Sequence, residues 1–169
     1  MRLHAVTLLV DDYDAAIAHY VDDLGFTLVE DTPLSPDKRW VRVSPDPDGG
    51  TSIVLAVATT DAQRMAIGHQ TGGRVGLFLH TDDFDSEHSR LVARGIHMTE
   101  APRIEIYGKV VVFQDRYGNL WDLIEPTAKT GGKSTQPGGD PLERLTSRMR
   151  CSSTARPAQG WINPLATTR

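Results

Sequence analysis

The sequence predicts an α+β fold made of two tandem βαβββ modules. Residues 8–14 (LLVDDYD) and 79–85 (LHTDDFD) share one layout, an apolar strand running into Asp-Asp-aromatic-Asp. Further along, the turn-like segment 44–50 precedes Thr51–Ala56 much as Gln114–Asn119 precedes Leu120–Ile124. A unit written twice in one chain is expected to build one structure from two similar halves.

Residues 3–10 alternate and then run apolar, as a strand with one buried face does. Asp11, Asp12 and Asp14 supply an N-cap and first-turn acids, which suit the positive end of a helix dipole. Tyr13, Ile17, Tyr20, Val21 and Leu24 recur at helical spacing, and Gly25 closes the helix. Residues 26–30 read as a second strand, 32–37 as a loop and 40–43 as a third strand. A turn at 45–50 leads to a fourth strand at 51–58. Residues 59–73, with a short helix near 61–68, link the halves. The order then repeats: strand 75–81, helix 84–94 with Phe84, His88, Leu91 and Val92 inward, Gly95 as terminator, and strands 96–100, 109–114 and 120–125. The domain is therefore 1–127, made of module 1–58, linker 59–73 and module 74–127. A Gly/Ser/Pro-rich basic tail, 128–169, is expected to be disordered.

With 169 residues the chain holds one domain's worth of core. Its longest purely apolar run, Ile53–Ala58, is far short of a membrane span, and no secretory signal develops before Asp11. The single cysteine, Cys151, excludes an internal disulfide framework and suits a reducing compartment, so the expected location is the cytoplasm. Residues 1–128 carry 11 Lys and Arg against 20 Asp and Glu, whereas 129–169 carry 7 against 2. An acidic body is unsuited to nucleic-acid backbones, so neither nucleic acid nor membrane is an expected partner.

Three segments carry a family resemblance: Val10-Asp-Asp-Tyr-Asp14 with His19-Tyr20 and Leu24-Gly25-Phe26; Thr81-Asp-Asp-Phe-Asp85 with Ala93-Arg94-Gly95; and the run from Asp115 to Glu125. Over about residues 3–126 the chain resembles the vicinal oxygen chelate superfamily, which includes glyoxalase I, extradiol dioxygenases and bleomycin-resistance proteins. The resemblance implies a curled mixed β-sheet cup with the helices outside. It also implies a divalent metal held by His, Gln and Glu on cup-facing strand positions. Carried over one at a time, those positions fall on Ala5, on the donor-free stretch 51–57, on Gly76 and on Asp122, with His4 one residue off and expected on the opposite face. One carboxylate does not hold a transition metal against water, so no metal and no cofactor is expected at the ordinary site.

Counting by twos from Gly76 puts Phe78 and His80 on the cup face, and Asp122 follows by the same alternation. Glu105 and Tyr107 precede a strand bordering that opening, and Arg39, Trp40 and Arg42 lie in the matching region of the first module. The candidate catalytic groups are His80, Glu105 and Asp122, and the candidate ligand-binding groups are Arg39, Trp40, Phe78, His80 and Tyr107. Each also has a structural reading: a strand histidine bonded to its neighbour, a solvated loop acid, a turn tyrosine, or an aspartate paired with Arg39 or Arg42. Three functions compete. The first is a metal-free small-molecule binder whose cleft a homodimer completes. The second is a glyoxalase- or dioxygenase-like lyase or oxidoreductase with a displaced Fe, Mn, Zn or Ni centre on His80, Glu105 and Asp122. The third is a metal-free acid–base enzyme using His80 and a carboxylate.

Overall fold

The computed structural model describes residues 1–127 apart from Pro47 and Gly49, and the tail at 128–169 falls outside the described residues. In the first module β1 (Ala5–Val10) enters α1 (Tyr13–Ala18), whose axis continues as a π-helical turn, His19–Asp23. Then follow β2 (Thr27–Ser35), β3 (Lys38–Ser44) and β4 (Ser52–Val57). A linker helix, α2 (Asp61–Ala66), precedes β5 (Leu77–His80), α3 (Phe84–Ala93), β6 (His97–Met98), β7 (Arg103–Glu105), β8 (Gly108–Gln114) and β9 (Leu120–Pro126).

The duplication is visible in the topology. The first sheet runs β1-β4-β3-β2 and the second β5-β9-β8-β6, with β7 also paired to β8. In each, the first strand lies parallel to the last through a helical crossover, and the other pairings are antiparallel. The doubled Asp motif caps both crossover helices: Asp12 accepts from Ala15 N–H, and Asp83 from Ser86 N–H.

The helix-facing sides of both sheets meet in one core. Leu8, Val10, Val41, Val43, Ile53 and Leu55 pack with Ala16, Tyr20 and Leu24, and the same cluster continues into Phe84, Leu91, Phe113, Trp121 and Leu123. Tyr20 and Phe26 reach the Trp121 ring at centroid distances of 6.2 and 5.8 Å. Polar groups fasten the seam. Tyr20 Oη donates to Asp115 Oδ2 at 2.7 Å, Arg116 N–H donates to His19 Nε2, and Arg90 donates to the carbonyls of Asp23 and Leu24.

Several elements depart from the sequence expectations. The segment read as a loop at 32–37 is largely strand: β2 continues to Ser35, pairing Thr32 with Trp40 and Pro33 with Arg39. Proline is tolerated there because β2 is an edge strand whose free side needs no N–H donor. Residues 96–100 hold only the two-residue β6, and β7 forms beyond Pro102 as a separate piece on β8. Val92 is 50% exposed rather than inward, and His88 instead stacks on the Phe84 ring.

Candidate functional site

Strand register decides which side chains share the faces turned away from the helices. In the first sheet Ala5, Thr7 and Leu9 lie opposite Ser52, Val54 and Ala56, and Arg42 pairs with Val54. Glu30 and Trp40 occupy the same face through their pairing with Arg42 and Thr32. Glu30 Oε2 accepts from Trp40 Nε1 (3.2 Å) and from Arg42 Nε (3.0 Å), while Arg42 Nη1 reaches His4 Nε2 at 2.9 Å and Ser52 Oγ at 3.4 Å. His4, expected on the opposite face, precedes the first paired residue of β1; its carbonyl accepts from Ser52 N–H at 3.0 Å, and its ring reaches Arg42. Thr7, Leu9, Trp40, Val54 and Ala56 line a 500 Å³ hollow here.

Arg39 alternates onto the helix-facing side with Val41 and Val43, lies over the Tyr13 ring at 5.3 Å, and is bound by Asp14 (2.6 Å) and Asp31; with Tyr13 it also lines one end of the same hollow. Those bonds hold the Asp31 carboxyl below the usual carboxylate range.

In the second sheet Phe78 pairs with Asp122, Asp122 with Val112, and His80 with Ile124. Val110 links Ile124 to Arg103, and Glu105 lies opposite Gly108. The alternation therefore puts Phe78, His80, Arg103, Glu105 and Asp122 on one face, with Tyr107 beside Arg103 in the following turn. Arg103 is paired with Glu100 and, at 3.0 Å, with Glu105. Asp122 is only 7% exposed, and its Oδ1 has no hydrogen-bond partner among the described residues. Burial pushes its carboxyl above the usual range, and the positive charge of Arg103 offsets part of that rise. No hydrogen bond joins His80 to Asp122 or Glu105, and His80 is exposed at the rim of a 670 Å³ groove between the modules, beside Leu79 and Arg90.

The donor set does not fit a divalent metal. Among the described residues no three His, Cys, Asp or Glu side chains converge on one point, so His80, Glu105 and Asp122 do not form a coordination set. Ala5 and Gly76 bring no donor atom, and a Cβ at Gly76 would collide with the Thr71 methyl of the linker.

Two polar devices were not anticipated. Asp115 collects Tyr20, Asn119 and Trp121 side chains and two backbone N–H groups. Its signal was an Asp heading Tyr117-Gly118-Asn119, where a carboxylate bonds the backbone two residues on. Gln70 closes the free edge of β1, accepting from Leu9 N–H at 2.7 Å and donating to the Thr7 carbonyl at 3.2 Å. A side chain acting as a strand's partner leaves no local signature.

A duplicated βαβββ chain whose sheets each turn a partly apolar, polar-dotted face away from the helices defines a paired-module α+β protein. The chain belongs to the Glyoxalase/Bleomycin resistance protein/Dioxygenase superfamily, which matches residues 2–123. An uncharacterized protein of Shewanella frigidimarina (strain NCIMB 400) is 50% identical over 121 residues, covering 71% of this chain and 90% of that protein. Among solved structures, TnmS3, an antibiotic binding protein from Streptomyces sp. CB03234, is 30% identical with a TM-score of 0.61, over 75% of this chain and 97% of TnmS3. A superfamily member from Sphaerobacter thermophilus DSM 20745 is also 30% identical, with a TM-score of 0.58 over 74% of this chain and 97% of its own.

Proposed function

We propose that this chain binds a small molecule without a resident metal, and that two copies together complete each cup. The carrying observation is where the modules meet. Among the described residues every hydrogen bond between them lies on the helix side or in the turn beside it. Among the described residues no hydrogen bond between the modules crosses the two sheet faces. Trp40 is 38% exposed, Phe78 60% and Tyr107 49%, an uncommon amount of bare aromatic surface for a finished monomer. Apolar surface with a few placed polar groups is what a ligand site requires. TnmS3, which is antibiotic binding, supports this reading at 30% identity. Lyase or dioxygenase chemistry on a metal would need three donors meeting at one point, and among the described residues no such group is found. Among the described residues no helix is long and apolar enough to cross a membrane, and one cysteine suits a reducing compartment, so we place the protein in the cytoplasm.

Light scattering on the full-length chain is expected to give a dimer mass, with a thermal shift on adding planar aromatic compounds. A monomer with no shift across a broad panel refutes the reading. Stoichiometric metal in protein purified without chelators, lost in His80→Ala, would refute the metal-free clause.

A further inference from the structure

We infer that Trp40 is the stacking surface of the first sheet's hollow, held in position by Glu30, and that the hollow takes an uncharged, flat aromatic ring; the inference rests on the small-molecule reading above and narrows it to one wall and one ligand class. The hollow measures 500 Å³, inside the range of about 300–1,000 Å³ usual for small-molecule sites. Thr7, Leu9, Val54 and Ala56 form its floor, and their short or aliphatic side chains leave room beside a large ring. Trp40 supplies that ring, 38% exposed and lining the same hollow.

The indole is fixed at its edge although it takes no part in the hydrophobic core of the described residues. Its Nε1 donates to Glu30 Oε2 at 3.2 Å, and the same oxygen accepts from Arg42 Nε at 3.0 Å. Arg42 in turn reaches Ser52 Oγ at 3.4 Å and His4 Nε2 at 2.9 Å. These side chains run back to β4 and to the start of β1, so the sheet itself aims the ring. A ring already held has less freedom to lose when a ligand stacks on it, which raises affinity. Charge at the hollow favours neither sign. Asp37 and Lys38 are neighbours of opposite charge, Arg39 is paired with Asp14 and Asp31, and Arg42 is paired with Glu30. An ionised ligand would give up its water for an apolar floor and no unbalanced counter-charge, whereas a flat neutral ring gains the indole face.

The test titrates four probes calorimetrically into the full-length protein: 2-naphthalenemethanol, its saturated and puckered analogue decahydro-2-naphthalenemethanol, 2-naphthoate and 2-naphthylmethylamine. The flat alcohol is expected to bind about fivefold tighter than the saturated one, and Trp40→Leu to erase that preference. Glu30→Ala should shrink the preference, and Glu30→Gln, which keeps an acceptor for the indole, should restore most of it. A general loss of stability would weaken both alcohols alike and leave their ratio unchanged. Equal affinities of the two alcohols in the wild type, or a full preference surviving in Trp40→Leu, overturn the stacking role. A full preference in Glu30→Ala overturns the positioning role, and an ionised probe binding about tenfold tighter than the flat alcohol overturns the ligand class. In each of those cases probes still bind and only this inference falls. If no probe binds, the small-molecule reading falls with it.

Discussion

The seam between the modules is tested through Tyr20 and Asp115. Tyr20 is fully buried, and its hydroxyl is one of three side-chain donors on Asp115 Oδ2, with Asn119 Nδ2 at 2.8 Å and Trp121 Nε1 at 3.1 Å. Oδ1 takes the N–H groups of Tyr117 and Asn119, both at 2.9 Å. Burial first, and then the neighbouring Asp115 charge, drives the Tyr20 phenol far above its ordinary value, so the hydroxyl keeps its proton and stays the donor. Tyr20→Phe deletes one of five hydrogen bonds to a charged acceptor and is expected to cost about 1.5–3 kcal/mol. Asp115→Ala strands all five donors, among them the buried phenol, the indole N–H and the Asn119 amide, and is expected to cost about 4 kcal/mol or more. The informative quantity is the coupling. In the Asp115→Ala background the Tyr20 hydroxyl is already an orphan, so removing it should be neutral or stabilising. Urea unfolding of the four proteins, followed by circular dichroism, measures this directly. If Tyr20→Phe costs the same in both backgrounds to within about 0.5 kcal/mol, the bond does not join the modules energetically and the argument fails.

Further outcomes follow from other contacts. Because the folded-state value of Asp122 is raised, its contribution to stability is fully present below the unfolded carboxylate value of about 3.9 and is lost as pH rises through the folded value. Asp122→Asn should therefore gain melting temperature over the wild type between pH 4 and pH 7; a constant difference would show that the carboxyl is not strained. Asp31 has the opposite sign: hydrogen bonds from Arg39 lower its value, so its contribution is present above about 3.9 and disappears as pH falls through the lowered value. Arg39→Met should cost about 0.2–1 kcal/mol at neutral pH, with the deficit closing in acid. A deficit that stays the same in acid would show that the Asp31 pair is not its source. Gln70→Ala uncovers the Leu9 N–H and should quicken its hydrogen exchange by about fivefold, the equivalent of about 1 kcal/mol; unchanged exchange would mean that the amide does not hold the β1 edge.

What could be read from the sequence was local. The Asp-Asp-aromatic-Asp repeat located both crossover helices because capping is decided within four residues. Alternation from Gly76 oriented Phe78, His80 and Asp122 because strand periodicity is 2 wherever a ladder holds. The same reasoning failed at His4, just before β1, whose ring reaches Arg42 although its carbonyl is held by Ser52 N–H. In β3 the alternation turns Arg39 to the side of Val41 and Val43, opposite to Trp40. The strand through Pro33 was missed because composition marks a turn, while its pairing with β3 is a tertiary fact. Asp115 illustrates the larger limit. Its turn was legible, but two of its five hydrogen bonds, from Tyr20 and Trp121, come from other elements, and Tyr20 belongs to the other module.

The duplication also bears on the proposal that two chains complete the cup. Aligning Leu8 with Leu79 places His19 on Arg90 and Ala5 on Gly76. At the first pair both residues reach across the seam, His19 accepting the Arg116 N–H and Arg90 donating to the Asp23 and Leu24 carbonyls. Equivalent helix positions thus bind the two modules to each other by different chemistry, as a quasi-twofold joint between helix sides. Such a joint commits the helix sides to each other, and each sheet's other face then points away from the shared core. At the second pair, Ala5 and Gly76, both modules present no donor atom on that other face. The polar groups that remain there, Glu30 with Arg42 in one module and His80, Arg103, Glu105 and Asp122 in the other, differ between the halves. A cup built from one face of each kind would therefore meet its ligand with two unlike walls. An intrachain cup would require the His19 and Arg90 contacts to break, so substituting both residues should loosen the monomer without improving ligand binding. Tighter binding in His19→Ala/Arg90→Ala would show that the seam holds the walls apart and would refute assembly of the cup between chains.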